Sequence, residues 1–215
     1  MPLVQGVVVA PSPTSIPDST TTSTFLQGKQ AELMVNELHG KYYTAASRGT
    51  AFQAVTATMV ITLFGNNLPT LFNPLGSGVI ASLIRISLTY TTGTPAVAGI
   101  GLAYHLNCGA SQATAGAILT FTNITPTPCL IGGTTVAKCR FATTNTFTGT
   151  PTIFMGLGIG ETPMAITNTN NPVPLIVDFD GSLGVAPGNA LQLGATVTTS
   201  TGSYIVHFVW EEIPV

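Results

Sequence analysis

The chain has 215 residues, 7% of them charged, and a formal net charge of −2, where an ordinary soluble domain is about 25% charged. Six scattered cations, Lys29, Lys41, Arg48, Arg85, Lys138 and Arg140, make no basic face for phosphate, which argues against nucleic acid as a partner. A hydrophobic fraction of 45% argues against wholesale disorder, and the scarcity of charged helix formers argues against a helical bundle.

Proteins this close to neutrality associate readily, so the composition predicts a surface much of which is covered by partners or fellow subunits. The chain carries 35 Thr, 23 Gly and 15 Pro, a mixture that favours strands and turns.

Residues 1–26 read as an extended arm. Pro2, Pro11, Pro13 and Pro17 forbid a regular helix, and Ser19 to Thr24 is a Ser/Thr run. The apolar residues Val7, Val8 and Val9, with Phe25 and Leu26, are its candidate docking contacts. Val7 to Ala10 is too short for a secretory leader and lacks a basic flank. No stretch is long and apolar enough to cross a bilayer as a helix, since Arg85 interrupts the best one. The expectation is a protein made in the cytosol, with no membrane partner. Residues 27–40 read as a short helix or linker, with Leu33, Met34 and Leu38 on one face and Gly40 closing it.

From residue 41 to 215 strand signals dominate. Candidate strands cover 54–64, 79–90, 97–106, 117–122, 135–142, 152–157, 175–179, 190–198 and 203–211. In the second, Ile84, Ile86, Leu88 and Tyr90 are expected to share one face. Asn66-Asn67, Thr92-Gly93, Gly132-Gly133, Asp180-Gly181, Pro187-Gly188 and Thr201-Gly202 mark turns between them. The intervals are uneven and no repeat is visible, which disfavours a propeller or solenoid. The expected fold is all-β: a single jelly-roll-like β-sandwich behind an extended N-terminal arm and one short helix.

Chemistry is sparse. His39, His105 and His207 stand apart from one another, and Cys108, Cys129 and Cys139 lack zinc spacing. The three thiols read as buried, with a Cys129–Cys139 bridge open only if their strands pair. Asp178 and Asp180 alternate onto one face, yet position twelve of a calcium loop is Asn189. They read instead as a strand ending in an Asp-Gly turn. Glu211-Glu212 reads as solvation of the chain end. Gly156, Gly158 and Gly160 precede Thr162 and Pro163 rather than a dinucleotide-site helix, and no nucleophile elbow is present. No enzyme activity, cofactor or metal is expected. The rival functional class is a glycan-binding module, for which the Asn-rich stretches suit and the low aromatic content does not.

Two regions carry a family likeness. Residues 37–52 run Glu-Leu-His-Gly-Lys-Tyr-Tyr-Thr-Ala-Ala-Ser-Arg-Gly-Thr-Ala-Phe, followed by Thr-Leu-Phe-Asn-Pro-Leu-Gly-Ser-Gly over 70–78. Near the end stand Ala186-Pro187-Gly188-Asn189-Ala190-Leu191 and then Phe208-Val209-Trp210-Glu211-Glu212. Over these roughly 70 residues the chain resembles virion structural proteins of tailed bacteriophages. The resemblance implies a β-sandwich or jelly-roll virion component, commonly trimeric, serving as head decoration, head fibre or tail attachment. It implies no catalytic residue. The partners it implies are copies of the same chain and virion proteins such as the major capsid protein. Tyr42, Tyr43, Arg48 and Phe52 are expected to fix the junction of arm and domain, with Arg48 in a buried ion pair. Trp210 is expected in core or subunit packing.

Overall fold

The computed structural model describes residues 26–27, 33–34, 41–92, 99–109, 118–159, 174–196 and 202–215. The chain divides into two compact units, Met1–Lys41 and Tyr42–Val215, one residue beyond the expected boundary.

In the first unit, β1 (Leu26–Gln27) and β2 (Leu33–Met34) pair antiparallel, Leu26 opposite Met34 and Gln27 opposite Leu33. Of the helix or linker expected over 27–40, the described residues Gln27, Leu33 and Met34 are strand, which goes against the helix. Gly28 near its start and Val35 and Asn36 near its middle are poor helix formers, and so short a helix is marginal on its own. Val7, Val8, Val9 and Phe25 lie outside the described residues.

The second unit opens with α1 (Tyr43–Ser47), the single helix among the described residues. Gly49, at φ +70°, ends it in the left-handed conformation. The amides of Gly49 and Thr50 bond back to Ala46 and Ala45 at 3.0 and 2.9 Å. Strands then follow: β3 (Ala51–Val55), β4 (Met59–Val60), β5 (Thr70–Asn73), β6 (Val79–Thr92) and β7 (Gly99–His105). Next come β8 (Ile118–Ile124), β9 (Thr127–Pro128), β10 (Arg140–Phe147) and β11 (Thr152–Ile159). The last are β12 (Leu175–Val185), β13 (Asn189–Ala195) and β14 (Ser203–Pro214).

Their pairing is nested. β3 pairs with β14, β5 with β13, β6 with β12 and β7 with β11, all antiparallel. The ribbon so formed is rolled, because β14 also pairs with β6 and β13 with β7. That is jelly-roll connectivity. One sheet runs β12-β6-β14-β3-β9, with β4 on β14; the other runs β11-β7-β13-β5-β10-β8. β8, β9 and β10 are an insertion between β7 and β11.

The sheets bury their facing sides. On β14 the residues alternate strictly, Tyr204, Val206, Phe208 and Trp210 pointing in and Ile205, His207 and Val209 out. Phe208 meets Phe141 of the opposite sheet at 5.2 Å between ring centres, and Trp210 meets Phe52 at 6.4 Å. On β6 the expected row is broken. Arg85 lies opposite Val209 but Leu83 opposite Trp210, so Ile84 is an extra residue in a bulge. Leu83, Ile86 and Leu88 enter the core, whereas Ile84 lines a recess on the outer face.

β5 carries the motif at 70–78. Leu71 is in the main core, while Phe72 on the other face joins Cys108, Phe147 and Ala190 in a second cluster. Asn73 is fully buried, and its amide donates to Val79 O and Val185 O at 2.7 and 2.8 Å. Its oxygen accepts the Ser77 hydroxyl at 2.6 Å, closing the turn made by Pro74, Gly76 and Gly78.

Residues 61–69 roof the outer face of the second sheet. Gln192 holds them there, its amide nitrogen donating to Gly65 O at 2.7 Å and its oxygen accepting Gly65 N–H at 3.3 Å. The Phe64 ring lies over Gly194, where an added Cβ would fall 2.7 Å from a ring carbon. Gly194→Ala is therefore expected to destabilise the domain by about 1–3 kcal/mol through overpacking. A denaturant midpoint equal to the parent's would contradict that contact.

Candidate functional site

Three surfaces of the second unit have shape or chemistry beyond packing. The first is a recess of about 340 Å³ on the outer face of the β12-β6-β14-β3 sheet. It arises because β12 is bulged where β6 is bulged. Asp178 opposes Arg85 and Leu183 opposes Leu83, so four residues of β12 stand against one of β6, with Asp180 at φ +52° and Gly181 at φ +82°. The Asp-Gly pair thus makes a bulge inside a continuing strand, a correction to the strand end expected there. Asp-Gly chemistry suits either outcome, because both residues tolerate positive φ.

Both carboxylates reach this recess, as the alternation of Asp178 and Asp180 implies. Each has a partner. The Arg85 Nε–H donates to Asp178 at 2.5 Å, and the Tyr42 hydroxyl donates to Asp180 at 3.0 Å. The hydrogen bond to Asp178 and its charge raise the Arg85 pKa above the usual guanidinium value. Both members of that ion pair are about half exposed, and such a pair contributes at most about 1 kcal/mol. On the same face His207 Nε2 lies 3.0 Å from Gln53 Oε1, and burial, followed by the Arg85 charge, lowers the His207 pKa.

The second surface is an apolar pocket of about 250 Å³ where the two sheets part at the β11 and β12 edges. Tyr104, Leu106, Phe154, Leu183, Val185 and Leu191 line it. Phe154 is the extra residue of a bulge in β11 and meets Tyr104 edge-on at 6.3 Å. Gly156 and Gly158 lie farther along this strand, in no phosphate-binding turn.

The third surface is the turn after β9. Leu130 O accepts Gly133 N–H at 2.9 Å and Gly132 has φ +87°, so Ile131 stands at the corner of a type II turn. Ile131 is 96% exposed, and Val136 beyond it 82%.

Of the residues expected to matter, Tyr42 lines the recess, and Tyr43 is exposed on α1 beside it. Arg48 is exposed just past α1, and no described carboxylate pairs with it, which corrects the expected buried ion pair. A cation at a helix C-terminus is favoured by the helix dipole without burial. Phe52 and Trp210 are buried between the sheets, in the main core. Leu26 pairs with Met34 in the first unit.

The three cysteines are free. Burial pushes the Cys108 thiol up to about 12 and raises Cys129 and Cys139 as well, the last helped by the Glu212 charge. Thiols held protonated in this way are poor nucleophiles and metal ligands. Among the described residues no three His, Cys, Asp or Glu side chains come together, and no helix is long and apolar enough to cross a membrane.

The sequence reading missed both apolar surfaces. Leu130-Ile131 beside Gly132-Gly133 was the available signal for the turn: two large apolar residues at a place that must be exposed. The pocket had none, because four strands distant in sequence build it.

No family model, curated protein or solved structure matches the chain.

Proposed function

We propose that this chain is a structural protein of a bacteriophage virion, a homotrimer that decorates the capsid or forms a head fibre and docks through residues 1–26. The observation that carries this reading is the surface of the jelly roll. Leu106, Ile131, Val136, Ile153 and Phe154 stand exposed in a chain with 7% charged residues. Single exposed apolar residues are ordinary, but uncharged clusters of them mark association surfaces. The local likeness to tailed-phage virion proteins points the same way. A permanent assembly works by burying area, typically 2,000 Å² or more. Docking through the arm gains its free energy from burial of Val7, Val8, Val9, Phe25 and Leu26 against the particle.

The test is co-sedimentation with particles of the phage that carries the gene. Full-length protein is expected to pellet with particles. Protein lacking residues 1–26 is expected to stay in the supernatant while keeping its β-sheet circular dichroism. Retention of the truncated protein on particles would overturn docking through the arm.

The recess favours a second reading, a glycan-binding module on the same fold. Asp178, Asp180 and Tyr42 group polar oxygens suited to sugar hydroxyls at one concave place. Glycan-array binding that Asp178→Asn abolishes would favour this reading over the first.

A further inference from the structure

The two apolar surfaces lie at opposite edges of one sheet and on one rung of it. Across the ladder, Leu183 opposes Leu83, Leu83 opposes Trp210, Trp210 opposes Phe52, and Phe52 opposes Pro128. Leu183 is a wall of the pocket, and Pro128 is two residues before Leu130. At about 4.8 Å per strand, Leu183 and Pro128 are therefore about 19 Å apart across the sheet, at its two edges. We propose that copies of this chain join head to tail, the Leu130–Ile131 turn of one copy seating in the β11/β12 pocket of the next.

Three observations favour a second copy as the occupant. The first is size. The pocket, at about 250 Å³, is below the 300–1,000 Å³ usual for small-molecule sites, and suits one or two aliphatic side chains. The second is charge. No Asp, Glu, Lys or Arg lines the pocket, and none occurs from Leu130 to Ala137, so neither surface must desolvate an ion to meet the other. The third is placement. A two-fold contact would bring one patch onto itself, whereas two unlike patches on opposite edges generate a heterologous contact. Such a contact closes a ring where the rotation between copies allows and otherwise runs on as a filament; the proposed trimer is the ring of three. The turn anchors the contact. Ile153 and Met155, exposed beside the pocket, and Val136 beside the turn extend it towards the roughly 800 Å² per partner of a stable interface.

This inference rests on the homo-oligomer half of the proposed function and is independent of the virion half. The test is the solution mass of full-length protein by light scattering. Wild type is expected at three times the monomer mass. Ile131→Asp, which spoils the turn, and Phe154→Asp, which spoils the pocket, are each expected to be monomeric. An equimolar mixture of the two is expected to give a dimer and nothing larger, because one intact turn and one intact pocket remain. Leu106→Asp, at a half-exposed lining residue, repeats the pocket arm should Phe154→Asp fold poorly.

Variants that keep the wild-type mass would place association elsewhere, overturning the inference and sparing the homo-oligomer. A monomeric wild type would overturn both. A mixture that stays monomeric would show that turn and pocket do not meet.

Discussion

Glu212→Ala is expected to destabilise the jelly roll by about 3 kcal/mol, lowering Tm by roughly 6–12 °C for a domain of this size. Glu212 is 5% exposed. Its carboxylate accepts the Lys138 and Cys139 amides at 2.9 and 2.8 Å, and the Trp210 indole N–H at 3.4 Å. It therefore does not solvate the chain end, as its place beside Glu211 suggests. On β14 the inward row runs Tyr204, Val206, Phe208, Trp210, and Glu212 is the next member. A carboxyl group is accommodated there because backbone donors replace the water it gives up. Truncation leaves the buried Cys139 amide without an acceptor, at about 1–3 kcal/mol, and takes the acceptor from the part-buried Lys138 amide and the buried Trp210 indole as well. Those amides end the segment that carries Ile131, so the same change is expected to loosen the exposed turn. Glu212→Gln keeps an acceptor and is expected to lose less. Denaturant unfolding checks the order; an Ala variant as stable as the parent would show that the amides find other acceptors.

Acid is expected to weaken the fold through His105. This residue is 3% exposed, stacks on Phe147 at 3.7 Å with the rings 9° from parallel, and leaves Nε2 without a hydrogen-bond partner. Burial lowers its pKa to about 4, a hydrogen bond with Gln192 opposing the shift. The folded state thus resists the proton that the unfolded chain takes up at its ordinary pKa near 6.5. The contribution is whole above pH 6.5, falls as pH drops from 6.5 towards 4, and levels off below 4. The loss across that window is about 3 kcal/mol. His105→Gln removes this titration and is expected to flatten the stability–pH curve over the same window. The slope is the readout, because the substitution also changes packing against Phe147. An unchanged slope would mean that His105 is not held neutral by the fold.

The sequence made the long strands legible and the short ones illegible, for a physical reason. β6 and β14 are half-buried over many residues, so alternation shows. β5 has four residues, all buried, because one face meets the core and the other meets the Phe72 cluster and, at Thr70, the 61–69 segment. With both faces covered there is no alternation, and Thr70 to Asn73 reads as part of a turn. The same roof moved β10 along the chain, from the expected 135–142 to 140–147. Asn145 points outward on a polar-looking stretch yet is buried, donating to Leu68 O at 2.6 Å.

Bulges were equally silent. A residue inserted at Ile84 shifts which side chains of β6 face the core, and the extra residues of β12 around Asp180 change its register; local pattern cannot register where the partner strand stands. The same limit applied to the site. Tyr42 and the two aspartates could be singled out, but their meeting depends on two bulges in neighbouring strands. Arg48 shows the opposite error: its place among Tyr42, Tyr43 and Phe52 suggests a buried ion pair, and a helix end leaves it in solvent.

The central claim is that the chain is a stoichiometric part of a particle. Quantitative mass spectrometry of phage particles washed in high salt tests it most directly. Because an apolar contact is not screened by salt, the protein is expected to remain in a fixed ratio to the major capsid protein, in multiples of three per attachment site. Its absence from washed particles would contradict the account.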